Sequence, residues 1–391
     1  MHYRVILLLT LGVITTQHAF SQINTLGQEV AITTAVPFLV ISPDARHAAL
    51  GDAGVATSPD ANASYWNAGK LAFLQNKYGA SASYTPWLGK IVNDMSISYL
   101  TGFYKINRES AVSAALKYFD MGDITFTNNV AAVTGQFSPR DFSFEGTYSR
   151  MLSENLGIGL TAKYIYSNLT GTNSNVDAQP GKSVAADIGV YYTRELQWQR
   201  VSTLSLGASI TNIGAKLTYT DNNNEDFLPT NLRIGTALTT ELDPYNSITF
   251  VLDFNKLMVP SPPLRDSAKQ IIAGRDPDRS LLSGMFGSFS DAPNGAKEEF
   301  QEVMTSVGIE YWYNKTFAAR LGYFNEARSK GNRKYMTIGL GFTKNRFGID
   351  VAYLVPTAKR EHPLAETLRF TLHFNITGES PGAQESVTDN P

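Results

Sequence analysis

Eight charged residues stand within otherwise apolar, alternating stretches of this chain: Lys163, Asp187, Arg233, Asp253, Glu310, Arg320, Asp350 and Arg369. Side chains of a strand point alternately to two faces, so each charge has its back to an apolar face. Apolar faces of that extent suit lipid, where a charge at mid-depth costs roughly 2–4 kcal/mol, so the eight belong on an enclosed interior. Both signs occur. Their expected chemistry is ion pairing across a lumen, which holds a wall together, rather than substrate contact. Groups for nucleophilic catalysis are scarce. After the first 21 residues the histidines are His47, His362 and His373. His373 falls on the inner face of its stretch and His362 in a connection. Neither sits in a Ser–His–carboxylate pattern, which needs a His oriented by a third group and touching the nucleophile. The chain has no cysteine, which excludes disulfides, thiolate metal sites and a cysteine nucleophile. Asp221-Asn222-Asn223-Asn224-Glu225-Asp226 could offer oxygens to calcium. It lacks the ordered spacing and turn glycine of an EF-hand loop and reads as a solvated acidic loop. No catalytic residue, cofactor site or metal site is assigned.

The elements that must position these charges alternate with period two. Met336, Ile338, Leu340 and Phe342 interleave with Thr337, Gly339, Gly341 and Thr343. Leu368, Phe370, Leu372, Phe374 and Ile376 interleave with Arg369, Thr371, His373 and Asn375. The same reading predicts strands near 79–88, 92–104, 109–121, 141–151, 155–168, 183–194, 202–212, 230–242, 246–256, 303–313, 316–326, 333–344, 346–356 and 366–376. Their connections alternate in length. Those near 122–140, 169–182, 213–229, 257–302 and 357–365 are long; those near 105–108, 152–154, 195–201, 243–245, 314–315 and 345 are short. Only the first, 89–91, breaks the alternation. Outer-membrane barrels of bacteria have an even strand count, short turns at one end and long loops at the other. A soluble sandwich has no reason to do so.

Composition agrees. Charged residues make up 17% of the 391, against about 25% in an average soluble domain, while Gly (31), Tyr (19) and Phe (21) are abundant. A net charge of −2 is too balanced for a nucleic-acid binder. No apolar run after the N-terminus approaches the roughly 18–20 residues of a membrane helix. The expected fold is all-β: a transmembrane antiparallel β-barrel of about 14 strands with an N-terminal plug or hatch. Both termini are expected in the periplasm. Tyr164 and Tyr166 are expected near the outer rim, and Tyr191, Tyr192, Tyr245, Tyr311 and Tyr313 near the inner rim, as interfacial anchoring requires.

Four segments follow. Residues 1–21 read as a secretory signal, with His2 and Arg4 before an apolar Val5–Val13 and Ala19-Phe20-Ser21 before the cut. Residues 22–78, entering from the periplasm, are expected to form a plug or else a free periplasmic arm, with helix expected over 43–53 and 60–65 behind the caps Ser42-Pro43-Asp44 and Ser58-Pro59-Asp60. Residues 79–376 form the wall, including a long extracellular loop, 257–302. That loop opens with Pro260-Ser261-Pro262-Pro263 and is expected to be helical near 264–273 and 295–304. It carries Leu281, Leu282, Met285, Phe286 and Phe289 among Gly and Ser. Loops of this length are usually functional or disordered, and apolar residues on an outward loop need somewhere to go. They fold over the mouth as a lid, dock against a partner or simply stand in solvent, and they are the candidate partner-binding residues. Residues 377–391 read as a disordered periplasmic tail.

The plug carries the most distinctive run. Ala31-Ile32-Thr33-Thr34-Ala35-Val36-Pro37-Phe38-Leu39-Val40-Ile41-Ser42-Pro43-Asp44-Ala45-Arg46 resembles the PorV family of the Bacteroidetes type IX secretion system. The resemblance continues through Gly51-Asp52-Ala53-Gly54-Val55-Ala56-Thr57-Ser58-Pro59-Asp60-Ala61-Asn62-Ala63-Ser64-Tyr65-Trp66-Asn67. The wider group is similar to the fourteen-stranded long-chain fatty-acid transporters (FadL-like), whose hatch often ends in Asn-Pro-Ala where this chain has Asn67-Ala68-Gly69. The resemblance implies a non-enzymatic outer-membrane partner of the type IX translocon barrel (SprA/Sov-like), embedded in outer-membrane lipid. It implies that the chain receives secreted cargo bearing a C-terminal signal domain and presents it to a surface sortase complex of PorU with PorQ and PorZ. The other function the fold suggests is transport of hydrophobic solutes such as fatty acids, which would need an apolar-lined route from the mouth to the hatch.

Overall fold

Alternating apolar and polar residues give strands whose two faces can meet lipid and lumen at once. The computed structural model describes residues 31–88, 92, 94–169, 179–197, 199–220, 225–357 and 367–376. Fourteen antiparallel strands close into a barrel. They are β1 Tyr78–Pro86, β2 Met95–Lys105, β3 Ser110–Met121, β4 Arg140–Met151 and β5 Leu156–Asn168. Then come β6 Gly181–Gln197, β7 Val201–Gly214, β8 Asn231–Glu241, β9 Asn246–Leu257 and β10 Val303–Tyr313. The last four are β11 Phe317–Asn325, β12 Lys334–Lys344, β13 Phe347–Pro356 and β14 Leu368–Ile376. Each pairs with the next, and β1 closes on β14 with Gly79 opposite Asn375 and Ser83 opposite Thr371. Every expected strand is present, with ends shifted by a few residues. In β12, Thr337 is buried while Met336, Ile338 and Leu340 stand exposed on the outer face. Among the described residues no helix is long and apolar enough to cross a membrane; the crossing is made by strands.

Two of the short connections are tight because their residues take left-handed backbone. Asn314 and Lys315 have φ of 51° and 50°, and Asn345 57°, the geometry that suits the twist of a hairpin. The first long-end connection, 87–94, is longer than the sequence suggests because β1 stops at Pro86 and β2 starts at Met95.

Residues 31–74 lie inside the barrel. A 3₁₀ turn at Pro37–Val40 is followed by α1 (Ala45–Ala48), α2 (Ala63–Trp66) and a 3₁₀ stretch at Ala68–Phe73. The two expected helices are thus single turns. Asp44 caps α1 by accepting from the His47 N–H at 3.0 Å, but Gly51 and Asp52 at φ 71° and 61° end it at once. The plug runs the length of the lumen. Ala35 N–H donates to the Phe227 carbonyl in the β7–β8 connection, at the mouth with the long connections. At the other end the Ala68–Phe73 stretch lies against Gly157 and Gly189, and the chain turns into β1. The expected entry from the short-turn end is therefore corrected for the described residues: the plug starts at the opposite mouth. Residues 1–30 and 377–391, with the signal and tail readings, lie outside the described residues, as do His362 and Asp221–Asn224.

Two further expectations fail locally. Residues 264–273 form a small hairpin, Leu264–Arg265 with Ile271–Ala273, instead of a helix. The Asp266 carboxylate accepts from the N–H groups of Ala268 and Gln270, a turn that competes with helix formation. Tyr191 is not a girdle residue. It is 2% exposed and faces the lumen, its hydroxyl donating to Ser205 Oγ at 3.0 Å and its ring 5.3 Å from that of Phe73. Tyr164, Tyr245, Tyr311 and Tyr313 are exposed as expected.

Candidate functional site in the plugged lumen and at the mouth

The eight lumen charges named from sequence are all buried. Four of them, Arg233, Asp253, Glu310 and Arg369, are partnered by the plug, and the other four by the wall itself. The Arg46 guanidinium, carried on α1, donates to both Glu310 oxygens at 3.0 and 2.8 Å and to Asp60 at 2.9 Å. Arg320 donates to Glu310 Oε2, the oxygen that also accepts from Arg46 Nε, at 2.7 Å and to Asp350 at 2.6 Å. Asp253 accepts from the N–H groups of Gly54 and Val55. Arg369 donates to the Ser42 carbonyl at 3.0 Å. Lys163 pairs with Asp187 at 2.8 Å and lies 3.6 Å from Glu145. A β-bulge in β7 supports this pair: Asn212, at φ 62°, donates its N–H to Asp187 at 2.7 Å and offers its side-chain oxygen to Lys163 at 3.1 Å. Breaking one member of such a buried pair costs about 3–5 kcal/mol, so the contacts of Arg46 and Asp253 fix the plug to the wall while the Lys163–Asp187 pair ties wall strands together.

Close backbone approach does the rest. A Cβ on Gly207 would meet the Val55 carbonyl oxygen at 2.2 Å, and one on Gly159 would meet Ala68 backbone at 2.3 Å. Asn67 spans the same seam, its amide donating to the carbonyls of Val190 and Val55 at 2.8 and 3.0 Å.

One plug cluster has the shape of a nucleophilic triad that the sequence did not reveal. Asp44 Oδ2 lies 2.7 Å from His47 Nδ1, and His47 Nε2 lies 2.9 Å from Thr57 Oγ1. Lys70 donates to the same hydroxyl at 2.8 Å, and the Trp66 indole N–H to Asp44 at 2.8 Å. Asp44 and His47 are 0% exposed and Thr57 is 1% exposed, so the cluster serves as polar packing inside the plug. His373 lies 3.4 Å from Thr343 Oγ1 with no carboxylate beside it among the described residues. Among the described residues there is also no grouping of His, Asp and Glu that could hold a metal ion.

At the long-connection mouth a cavity of about 80 Å³ remains between plug and wall. Its lining is mixed, with Asp52, Arg233, Arg333 and Arg369 beside Ile41, Leu257 and Met304. It is not an apolar passage.

The long loop between β9 and β10 is ordered by a polar interior. Lys256 pairs with Glu302 at 2.5 Å and Glu299 at 3.1 Å, and Lys330 with Glu298 at 2.5 Å and Glu302 at 2.9 Å. Arg279 pairs with Asp291 at 2.6 Å. Burial alone would raise the Glu298 carboxyl, but hydrogen bonds from Lys330 and Asn294 hold it below the ordinary glutamate range. This frame carries α3 (Leu281–Gly287) and α4 (Ala296–Gln301). The five candidate residues separate on it. Met285 is 3% exposed and turned inward, and Gly284 beside it packs on Phe227 and Pro260. Leu281 is half-buried. Leu282, Phe286 and Phe289 are exposed, one above the other on the outer face. Phe300, which the sequence reading missed, is 80% exposed. Phe289 and Phe300 border a groove of about 400 Å³ with Leu232, Ile234 and Phe254 of the wall, so this apolar surface continues the outer face of the barrel.

No curated protein matches the chain. Among solved structures, the deltaS2S3 mutant of the monoaromatic hydrocarbon channel TodX is 11% identical, with a TM-score of 0.50 over 84% of this chain and 96% of that one. The toluene transporter TbuX of Ralstonia pickettii is 12% identical, with a TM-score of 0.46 over 87% and 98%. A FadL homologue of Pseudomonas aeruginosa is 10% identical, with a TM-score of 0.45 over 89% and 100%. At these identities the likeness is one of fold. The family described as "Type IX secretion system protein PorV" matches residues 24–264. That span holds the whole plug, its lumen contacts on β1–β9 and the start of the long loop, and with well over half of the sequence matched the chain belongs to the PorV family of the type IX secretion system.

Proposed function

We propose that this outer-membrane barrel acts through its exposed mouth and flank rather than through its lumen. It binds the translocon barrel (SprA/Sov-like) and the C-terminal signal domain of secreted cargo, and hands cargo to the sortase complex of PorU with PorQ and PorZ. In this reading the long connections face the cell exterior, and the short turns and the end of β14 face the periplasm. One observation carries it: a lumen filled by buried ion pairs, set beside an ion-paired loop whose apolar residues point outward. A transporter for fatty acids needs an apolar route, and the charges lining the interior speak against one. An interaction surface needs a few apolar anchors on a fixed frame, which Leu282, Phe286, Phe289 and Phe300 on α3, α4 and their connection supply. Leu281 and Met285 serve as support beneath them.

The test is the double variant Leu282→Asp with Phe286→Asp, purified from native outer membrane in mild detergent. The barrel is expected to remain folded, with recovery of translocon and of cargo still bearing its signal domain down about tenfold or more. Unchanged recovery overturns the loop assignment. Uptake of a labelled fatty acid that depends on this chain would move the function to the lumen.

A further inference from the structure

The mouth cavity has a floor of Ile41, Ser42 and Trp66 from the plug and a rim that includes Trp87, Leu257 and Met304. At about 80 Å³ it has room for several waters, or for one carboxyl group on a short stem. A long acyl chain does not fit.

The charge on its lining is lopsided. Three guanidiniums, Arg233, Arg333 and Arg369, face it with one carboxylate, Asp52. Arg333 is satisfied by Glu326 through two bonds of 2.8 Å. Arg369 reaches Asp52 only at 3.4 Å, and the other Asp52 oxygen accepts from the Tyr335 hydroxyl at 2.5 Å. Arg233 is 4% exposed and has no carboxylate at ion-pair distance among the described residues. It donates to the Tyr65 carbonyl at 3.2 Å, to the Tyr65 hydroxyl at 3.5 Å and through Nε to the Asn231 side-chain oxygen at 3.1 Å, and its guanidinium lies 5.0 and 5.1 Å from the Tyr65 and Trp66 rings. Carbonyls and ring faces offset a buried cation only in part, and a buried charge without a counter-ion is costly. Two further buried oxygens on the same lining, Ser42 Oγ and Asn255 Oδ1, have no hydrogen-bond partner among the described residues. A buried polar atom without a partner calls for one, and a polar ligand in the cavity would supply it.

We propose that this cavity is a binding site for a carboxylate on a short apolar stem, with Arg233 as its counter-ion. The carboxylate takes the free donors of Arg233 and Arg369 and the Ser42 hydroxyl, and the stem lies against Leu257, Met304 and Trp87. Asn255 Oδ1 remains to accept a donor beside the carboxylate. Two sources share this chemistry: a free short-chain acid and the terminal carboxylate of a peptide.

The readout is built in, because Trp66 and Trp87 line the cavity. The probe is trichloroacetate, a carboxylate on a short stem whose trichloromethyl group quenches indoles it touches, titrated into the full-length protein in detergent. Saturable quenching is expected, reduced in Trp87→Phe and shifted to about tenfold or more higher concentration in Arg233→Gln. Equal quenching by the neutral trichloroacetamide overturns the proposal, as does an Arg233→Gln titration identical to the parent. Should Arg233→Gln not fold, Asn255→Asp decides. Asn255 is directly opposite Arg233 in the β8–β9 register, so its new carboxylate supplies the missing counter-ion from within. That variant is expected to melt higher and to lose the quenching; retained quenching overturns the proposal. Displacement by butyrate identifies a free acid as the source, and displacement by acetyl-Ala-Val as the free acid but not as its amide identifies a peptide terminus. Either supports the site, whereas displacement by the amide as well overturns it. A failure here leaves the flank of the long loop untouched, because none of its outward apolar residues lines this cavity.

Discussion

Glu310 is the residue on which plug and wall most directly depend, since it joins Arg46 of the plug to Arg320 of the wall. Replacing it with Gln leaves two buried guanidiniums with one carboxylate each, Asp60 and Asp350, and is expected to cost about 3–5 kcal/mol. The check is the temperature at which the barrel loses its folded gel mobility, and a midpoint equal to the parent's would refute the anchoring role. Glu310 was legible in the sequence because a lipid-facing wall forbids a charge on one face of each strand, so any charge in register must look inward. The same rule reaches Lys117 and Glu145, both buried on inner faces of β3 and β4. Arg46, Asp60 and Lys70 were not legible as partners. The plug has no period, and nothing local in it tells which wall residue each will meet. The Asp44–His47–Thr57 cluster likewise exists only through the turn that returns Thr57 to α1.

The strands were the readable elements because a two-residue period has only one register that keeps apolar residues on lipid. The plug helices and the long loop were less readable. Caps at Asp44 and near Asp60 suggested helices, but Gly51 and Asp52 stop α1 after one turn, and the Asp266 carboxylate folds 264–273 into a hairpin where helix was expected. At this scale the inner-face glycines matter through the space they leave. Gly207 sits on β7 where the backbone of Val55 presses closest. Gly207→Val is expected to lift that part of the plug off the wall and make the Val55 region cleavable by protease in detergent. Gly146→Val adds a branched side chain on β4 where a Cβ meets nothing within 4 Å and should leave the plug protected. Equal protection of both variants would show that the close approach is not what seats the plug.

For the whole molecule, a barrel filled along its length should be electrically quiet. Reconstituted in a planar bilayer, the full chain is expected to pass no steady ion current, and a sustained open level would contradict the seal. Shape alone did not separate secretion from solute transport, because the same architecture appears in a hydrocarbon channel. The family was legible in the ordered run from Ala31 to Asn67, and the mouth cavity was not, since its lining converges from residues as distant in sequence as Ser42 and Arg369. The seam between β1 and β14 carries a further consequence. The plug precedes β1 in the chain and lies inside the finished wall, yet the seam that encloses it needs the last strand to arrive. Assembly therefore has an order: either the plug settles across an open, curling sheet before β14 zips to β1, or it must thread a cylinder already shut. The glycine seats and the waiting carboxylates of β9 and β10 precede β14 in the chain, so the first route lets the enclosed segment template its own enclosure.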